Sequence, residues 1–494
     1  MNKRSIFTKY ILTSVIAFAI AASSLVSTSC RHNQYNTDAI LTFSTDTLMF
    51  DTVFTTISSI TRNFTVTNPT SEPVKLDILL AGGGNSYYSI NVDGKAGTEF
   101  HDIEIAPHDS IFVFVKVTIN PTNQNNPYLI TDSVMFINEN NRQSVQLVAF
   151  GQDAHFIIPD HLNSSMHYKI VAAEHQHTHW TNDKPWVIYG WAVVDSLGTL
   201  TIDPGTRIYV HNGGGIWVYR YGNIQVHGTA EQPVKFAGDR LESFYASDYA
   251  QWDRIWINEG STDNVIEHAI ITNASIGLQV SALEEYLNNK TIVRNSIIHN
   301  NATTGVLARA ANLEMTNCQI SNNGQYSLLL QIGNFTLNHL TVANFAAHQN
   351  ESFALCNFYN DYEYNAAGEA VSVTVLGDAH LTCNNSIIYG SSDNEFATHT
   401  KTGASLSYNF KNCLVKKEEF DNYFVNCLKD KNPLFISNFE QDYNLQATSP
   451  AIDAGITGLG INTDLLGRPR NGIPDIGAYE YYPQESGKRI WSFF

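Results

Sequence analysis

Between residues 39 and 152, apolar positions recur at every second residue in short runs, and no helical period is present. Phe64-Thr65-Val66-Thr67 alternates and stops at Asn68-Pro69. Val74 to Leu80 ends in Gly82-Gly83-Gly84, Asp109-Ser110 opens the run Ile111 to Val117, and Val145 to Phe150 closes before Gly151. Strands this short, punctuated by Gly, Pro and Asn, predict a β-sandwich. A module of that kind more often acts as a spacer than as a seat of chemistry.

From residue 186 the texture changes. Leu200-Thr201-Ile202, Arg207 to Val210, Ile216-Trp217-Val218, Ile224-Gln225-Val226 and Val234-Lys235-Phe236 are short β-forming runs divided by Gly and Asn. Then a repeat becomes countable. His268-Ala269-Ile270-Ile271 is echoed by Asn295-Ser296-Ile297-Ile298, Asn317-Cys318-Gln319-Ile320, His339-Leu340-Thr341-Val342, Asn385-Ser386-Ile387-Ile388 and Asn412-Cys413-Leu414-Val415. First positions lie 27, 22, 22, 46 and 27 residues apart, and 46 reads as two turns. One short strand per copy at this period predicts a solenoid. The fixed leucine ladder of a leucine-rich repeat is missing, whereas Ile-Ile pairs flanked by Asn and small residues suit a parallel β-helix of three strands per coil. Asn at equivalent turns is expected to hydrogen-bond along the axis. Cys318 and Cys413 share a repeat position with Ala269, Ser296 and Ser386, which makes them small core residues in a stack.

Composition sharpens this picture at the ends. With 43% hydrophobic and 12% aromatic residues among 494, a large core is available and global disorder is excluded. Lys3, Arg4 and Lys9 precede an apolar run, Ile11 to Ile20, and small residues lead to Cys30. This is a secretory signal peptide, too short for a stable membrane span. Ser27-Thr28-Ser29 before Cys30 resembles a bacterial lipobox, with Ser in place of the usual Leu three residues before the cysteine. Acylation at Cys30 would anchor the chain to a membrane, and the expected location is the cell envelope, as an outer-membrane lipoprotein facing either the periplasm or the surface. Ordinary cleavage near Ala22, leaving Cys30 a free thiol, is the alternative. Beyond residue 29 the chain holds 26 basic against 47 acidic residues, a balance of −21, which argues against nucleic acid as a partner. Cys318, Cys356, Cys383, Cys413 and Cys427 are an odd number without a CxxC pair, so neither a disulfide framework nor a zinc ribbon is expected.

The end of the chain is the most specific stretch. Ser449-Pro450-Ala451-Ile452-Asp453-Ala454-Gly455, Asp464-Leu465-Leu466-Gly467-Arg468-Pro469-Arg470 and Pro474-Asp475-Ile476-Gly477-Ala478-Tyr479-Glu480 form a series similar to the C-terminal closure of many secreted bacterial β-helix proteins. On these residues the segment from 186 resembles a right-handed parallel β-helix of the pectate-lyase-like superfamily, and residues 39–152 resemble the immunoglobulin-like modules that precede larger domains in bacterial envelope proteins. The resemblance implies an all-β chain, an Ig-like β-sandwich followed by a right-handed parallel β-helix solenoid with a structural cap. In that cap the Asp and Arg residues read as salt bridges. The expected organisation is a signal peptide over 1–29, a linker over 30–38, the sandwich over 39–152, a His-rich connecting or N-cap segment over 153–185, the β-helix over 186–482 with its cap at 449–480, and a tail over 483–494.

Candidate chemistry falls in three places. Period-two alternation puts Trp217, Tyr219 and Tyr221 on one face of a strand, opposite Ile216 and Val218; Arg254 and Trp256 repeat the theme with Ile255 and Ile257 inward. Flat aromatics beside hydrogen-bonding groups suit a sugar ring; burial of the same face beneath residues 155–185 or the sandwich is the competing reading. Second, His175, His177 and His179 fall at alternate positions of a predicted strand, a weak pattern for zinc or copper without ligands from other segments, so no metal or other cofactor is expected. Third, Asp239, Arg240, Glu242, Asp253, Arg254, Lys290 and Arg294 are outward groups that a polysaccharide lyase or glycoside hydrolase could use. Asn462-Thr463-Asp464 mimics one fragment of the classical β-helix hydrolases, but it sits in the cap without a companion Gly-His-Gly. The function expected is a binding or structural role with polysaccharide the leading ligand; a polysaccharide-degrading enzyme and a protein-binding adhesin are the alternatives.

Overall fold

The computed structural model describes residues 35–55, 59–121, 128–162, 166–241, 245–282, 290–345, 351–364 and 369–483. Cys30 and the signal segment lie outside the described residues. The chain divides into two units, one running to Gln152 and the other from Asp153 onward.

The first unit is a sandwich of two five-stranded sheets. One holds Thr42–Phe43, Arg62–Thr67, Ser110–Val117, Tyr88–Val92 and Lys95–Gly97; the other holds Thr47–Phe54, Arg142–Gln152, Tyr128–Ile137, Val74–Leu80 and Glu99–Ile105. Alternation decides what faces inward: in Val74–Leu80 every second residue is buried, and Phe64, Val66, Ile78, Val113, Phe136 and Leu147 fill the space between the sheets. The Asn68-Pro69 turn has a further role. Buried Asn68 donates to the carbonyls of Glu72 and Ile105 and accepts from the Thr70 amide at 3.0 Å, closing the loop without an orphaned group.

The second unit is a solenoid of parallel strands with three faces. Face A is an 11-stranded sheet from His155–Ile157 to Leu428–Lys429. Face B runs from His167–Ala172 through Trp191–Val194, Gly215–Val218, Ile255–Ile257 and Ile276–Ser281 to Phe396–His399. Face C runs from His177–Trp180 through Thr199–Ile202 and Asn223–His227 to Phe424–Val425. Two long strands, Thr304–Thr316 and Tyr326–Asn338, serve faces B and C in one piece, bending at Ala310 (φ 46°) and at Ile332-Gly333 (φ 59° and 126°). The core is a column mostly of Ile, Val and Leu that gives way to Phe353, Phe396, Phe410 and Phe424 in the last coils.

Two expectations are refined here. The His-rich segment 153–185 forms the N-terminal coil: His155–Ile157, His167–Ala172 and His177–Trp180 supply its faces A, B and C. The 46-residue interval is one coil, since Val342 pairs directly with Ile388. Its extra length includes an antiparallel hairpin, Phe358–Tyr364 with Ala370–Leu376, inserted where face B passes to face C.

The repeat itself has a backbone cause. His268, Asn295, Asn317, His339, Asn385, Asn412 and Asn426 all turn the chain onto face A with φ between 46° and 54°, the left-handed region that Asn and His tolerate better than most residues. Their side chains then bond from rung to rung: Asn317 Nδ2 to Asn295 Oδ1 at 3.1 Å, and Asn385 Nδ2 to His339 Nε2 at 3.0 Å. Ala269, Ser296, Cys318 and Ser386, the next residues, are buried as the repeat predicts.

The C-terminal series does not plug the end of the coil. It lies along the outside of face A, where Phe435, Tyr443, Leu465, Ile476 and Tyr479 cover Ile270, Ile297, Ala343, Ile387 and Leu414. The ion pairs expected of it are present. Asp464, fully buried, accepts from the amides of Leu466, Arg468 and Glu480 and from Arg468 Nε at 2.8 Å. Arg470, buried with Glu480 at 3.0 Å, also donates to Asn317 Oδ1 at 2.9 Å, joining the strap to the turn ladder.

Arg470→Ala strands the Glu480 carboxylate in a buried site and is expected to cost about 3–5 kcal/mol, read as earlier thermal unfolding with loss of protease resistance in residues 431–483. Acid acts on the same joint. His339 accepts from Asn385 on Nε2 and donates from Nδ1 to the Gly477 carbonyl at 3.2 Å, so it is held neutral, and burial pushes it down to about 3. Burial likewise pushes His299 down to about 4 and Asp475 up to about 6. The histidines bind fewer protons folded than unfolded, so stability drains as pH falls from 6.5 toward 4; Asp475 opposes with the reverse slope between 6 and 4. Two histidines outweigh one aspartate, so net loss on acidification is expected. His339→Asn keeps the left-handed turn and removes one titration, and the difference in melting temperature between pH 7 and pH 5 should shrink.

Candidate functional site

On face B the alternation behaves as expected. Ile216, Val218, Ile255 and Ile257 are buried in the coil, while Trp217 and Trp256 project outward, half-buried. Strand register sets them on adjacent rungs, Trp217 opposite Trp256. Their rings stack on one another at 5.3 Å with 10° between planes. Tyr219 meets Trp217 edge-on at 5.2 Å, and Trp191 meets Trp256 edge-on at 6.5 Å. The indoles therefore spend a flat face on each other. What they offer a ligand is a ridge of ring edges rather than the open platform that the sequence pattern suggested.

Both indole nitrogens are buried and find no hydrogen-bond acceptor among the described residues. An amide or indole donor left in that state costs about 1–3 kcal/mol. Polar groups continue the ridge: Arg254 Nε donates to Asp253 Oδ1 at 2.7 Å, Arg254 Nη1 donates to Gln279 Oε1, and Gln279 Nε2 to Ser281 Oγ at 3.2 Å. Gln279 is the residue in register with Trp256 on the next rung. One coil beyond Gln279, Arg309 donates to Gln331 Oε1 at 3.0 Å and lies 5.6 Å from the ring of Tyr359 on the inserted hairpin. The hairpin thus stands beside the ridge. Tyr221 sits apart, in a left-handed turn (φ 63°) where it is 46% exposed and packs against Gly260. A Cβ on Gly260 would fall 2.6 Å from that ring, so the glycine makes the seat. Between Tyr219 and Tyr221, Arg220 pairs with Glu259.

Of the five candidates, Trp217, Tyr219, Arg254 and Trp256 come together and Tyr221 flanks them. Trp191, Gln279 and Arg309 were missed. Aligning Trp191-Ala192-Val193-Val194 with Gly215-Ile216-Trp217-Val218 would have found the first: Trp191 lies over Gly215, where a Cβ would fall 2.6 Å from its ring. Gln279 and Arg309 carry no such signal, since only the rung register brings them near.

The three histidines do not gather as one set. His177 and His179 meet edge-on at 5.6 Å, with His177 bonded to Thr201 Oγ1 at 2.7 Å and His179 3.7 Å from Asp203, while His175 lies in the turn before the strand (φ 58°). Among the described residues no three His, Cys, Asp or Glu side chains are grouped to hold a metal ion. The other outward candidates are engaged: Asp239 with His211 at 2.7 Å, Lys290 with Glu314 at 2.8 Å, Arg294 with Glu314 at 3.9 Å, and Arg240 over the Tyr245 ring at 4.5 Å. Glu242 lies outside the described residues.

No family model matches this chain, and no curated protein matches it. Among solved structures it is similar to the catalytic unit of a GH87 α-1,3-glucanase from Streptomyces thermodiastaticus, with 8% identity over 75% of this chain and 88% of that one, at a TM-score of 0.20. Human CEP192 PapD-like domain 7 matches 25% of this chain over 92% of its own length, with 10% identity and a TM-score of 0.17. A family 123 glycoside hydrolase from Clostridium perfringens matches 22% of this chain and 26% of its own, with 9% identity and a TM-score of 0.17. At these scores the likenesses carry no argument about activity.

Trp256→Phe retains an aromatic ring against Trp217 while deleting an orphaned donor, so it should leave the melting temperature unchanged or slightly higher. Trp256→Ala, which removes the ring, should lower stability by about 2–4 kcal/mol.

Proposed function

We propose that this chain is a lipid-anchored envelope protein that binds carbohydrate along face B of a β-helix of the pectate-lyase-like kind, with the sandwich a spacer module. The observation that carries the reading is the row of half-buried aromatic rings on adjacent rungs, Trp217, Tyr219 and Trp256, next to the Asp253–Arg254–Gln279 network. A sugar has apolar C–H faces and a rim of hydroxyls, so it matches aromatic edges framed by a carboxylate, a guanidinium and an amide. Rungs lie about 4.8 Å apart, so an extended chain crossing the ridge meets such groups on successive rungs. The net charge of −18 and the acidic surface fit a neutral glycan better than a nucleic acid.

The enzyme reading draws on one feature of the same face. Glu351, largely buried, pairs with His399 Nε2 at 2.6 Å on the late coils, an acid–base couple of the sort glycan cleavage uses.

The deciding experiment presents residues 31–494 to a panel of polysaccharides and reads retention and new reducing or unsaturated ends together. Retention without cleavage is expected. Trp217→Ala and Trp256→Ala, each confirmed to remain folded, should weaken it about tenfold, equivalent to about 1.4 kcal/mol. Cleavage lost in His399→Gln would favour the enzyme, and silence across the panel would sink the carbohydrate reading and leave a protein ligand.

A further inference from the structure

The last coils carry a column of thiols that the carbohydrate surface does not use. Cys413 and Cys427 occupy the small-residue position of the turn onto face A in consecutive coils, the position held by Ala269, Ser296, Cys318, Leu340 and Ser386 earlier. Leu414 pairs with Leu428 in parallel register, so Cys413 lies directly opposite Cys427. Strand spacing of about 4.8 Å falls inside the roughly 4.4–6.8 Å between Cα atoms that a disulfide spans. The Cys413 amide donates to Cys427 Sγ at 3.4 Å. On its other side, Cys413 Sγ is 4.0 Å from Cys383 Sγ. Cys383 and Cys413 also belong to consecutive coils, so Cys413 has a thiol on either side.

Exposure and bonding give the two thiols different parts. Cys413 is fully buried, whereas Cys427 is partly exposed. The hydrogen bond from Cys413 favours the Cys427 thiolate and holds Cys427 below the ordinary thiol range, while burial pushes Cys413 up. The coil they join is the least secured of the solenoid. Its strands, Phe424–Val425 and Leu428–Lys429, have two residues each and a neighbour on one side alone. A terminal repeat with so few partners is where a solenoid opens first.

We propose that Cys413 and Cys427 form a redox-controlled cystine that staples the last coil to the one before it. The oxidant is a disulfide, of glutathione or of a dithiol oxidoreductase. The Cys427 thiolate attacks one oxidant sulfur, the oxidant S–S bond breaks, and one thiolate leaves. Cys413 then gives up its proton and attacks the Cys427 sulfur, expelling the second oxidant thiolate. Two protein thiols become one cystine, and one oxidant disulfide becomes two thiols.

The test treats the full chain with oxidised glutathione and counts free thiols by maleimide mass-tagging under denaturing conditions, followed by tryptic peptide mapping. The expected result is a loss of two thiols, a linked pair of peptides 412–416 and 418–429, and slower proteolysis of the last coil. Cys427→Ser, which places at 427 the residue that 296 and 386 already carry, should fold normally and lose no pair of thiols. An unchanged thiol count in the wild-type chain, a Cys383–Cys413 linkage, or a bridge between two chains would overturn the proposal.

Discussion

Rung-on-rung registration is the constraint on which the rest of the second unit depends. Each strand satisfies its backbone groups through the strands before and after it, so a residue's neighbours are set by its place in the coil and not by its place in the chain. That is why a left-handed turn residue recurs at 268, 295, 317, 339, 385, 412 and 426: the chain must enter face A at the same angle each time, and Asn, with occasional His, does so at least conformational cost. It is also why like side chains stack, whether as the Asn ladder, the two indoles or the thiols.

Against this one-dimensional order, the C-terminal strap is the exception. Asn385 holds Ile456 through both side-chain atoms, and Arg470 reaches Asn317. Tyr479 bonds Gln319, and Ala478 bonds the Thr341 hydroxyl. Coils that would otherwise sense their immediate neighbours alone are thereby tied to a shared element. The buried Asp464–Arg468 and Arg470–Glu480 pairs give the strap its own shape, with every carboxylate oxygen of Asp464 and Glu480 engaged. Their role is architectural.

Much of this was legible in the sequence, and the boundary of legibility is physical. The sandwich and the parallel solenoid followed from period two and from the Asn-small-Ile-Ile repeat, but the Ile-Ile pairs do not both point inward: Ile271, Ile298 and Ile388 face the coil core, whereas Ile270, Ile297 and Ile387 face out beneath the strap. The strap's ion pairs followed from its Asp and Arg residues. Its placement did not, because nothing local distinguishes a segment that covers an end from one that covers a side. The first coil was hidden by its histidines, which face outward on residues 155–179 and mask the buried Ile157, Ala172 and Trp180 between them. The inserted hairpin masqueraded as a second turn because it has the length of one. At the ridge, outward placement of Trp217 and Trp256 was readable from alternation, whereas their stacking was not: it depends on registration between residues 39 positions apart.

The strap has one more consequence, for the order in which the molecule is made. Residues 449–480 lie on rungs contributed by residues 269 to 414, so a chain emerging N-terminus first can pair those rungs while their outer face A is still bare. Such a chain carries an apolar stripe of Ile270, Ile297 and Ile387 until residues 449–480 arrive to cover it. For this protein the interval between the making of residue 414 and the docking of residue 479 is the period in which it most resembles an unfinished sheet in need of a chaperone.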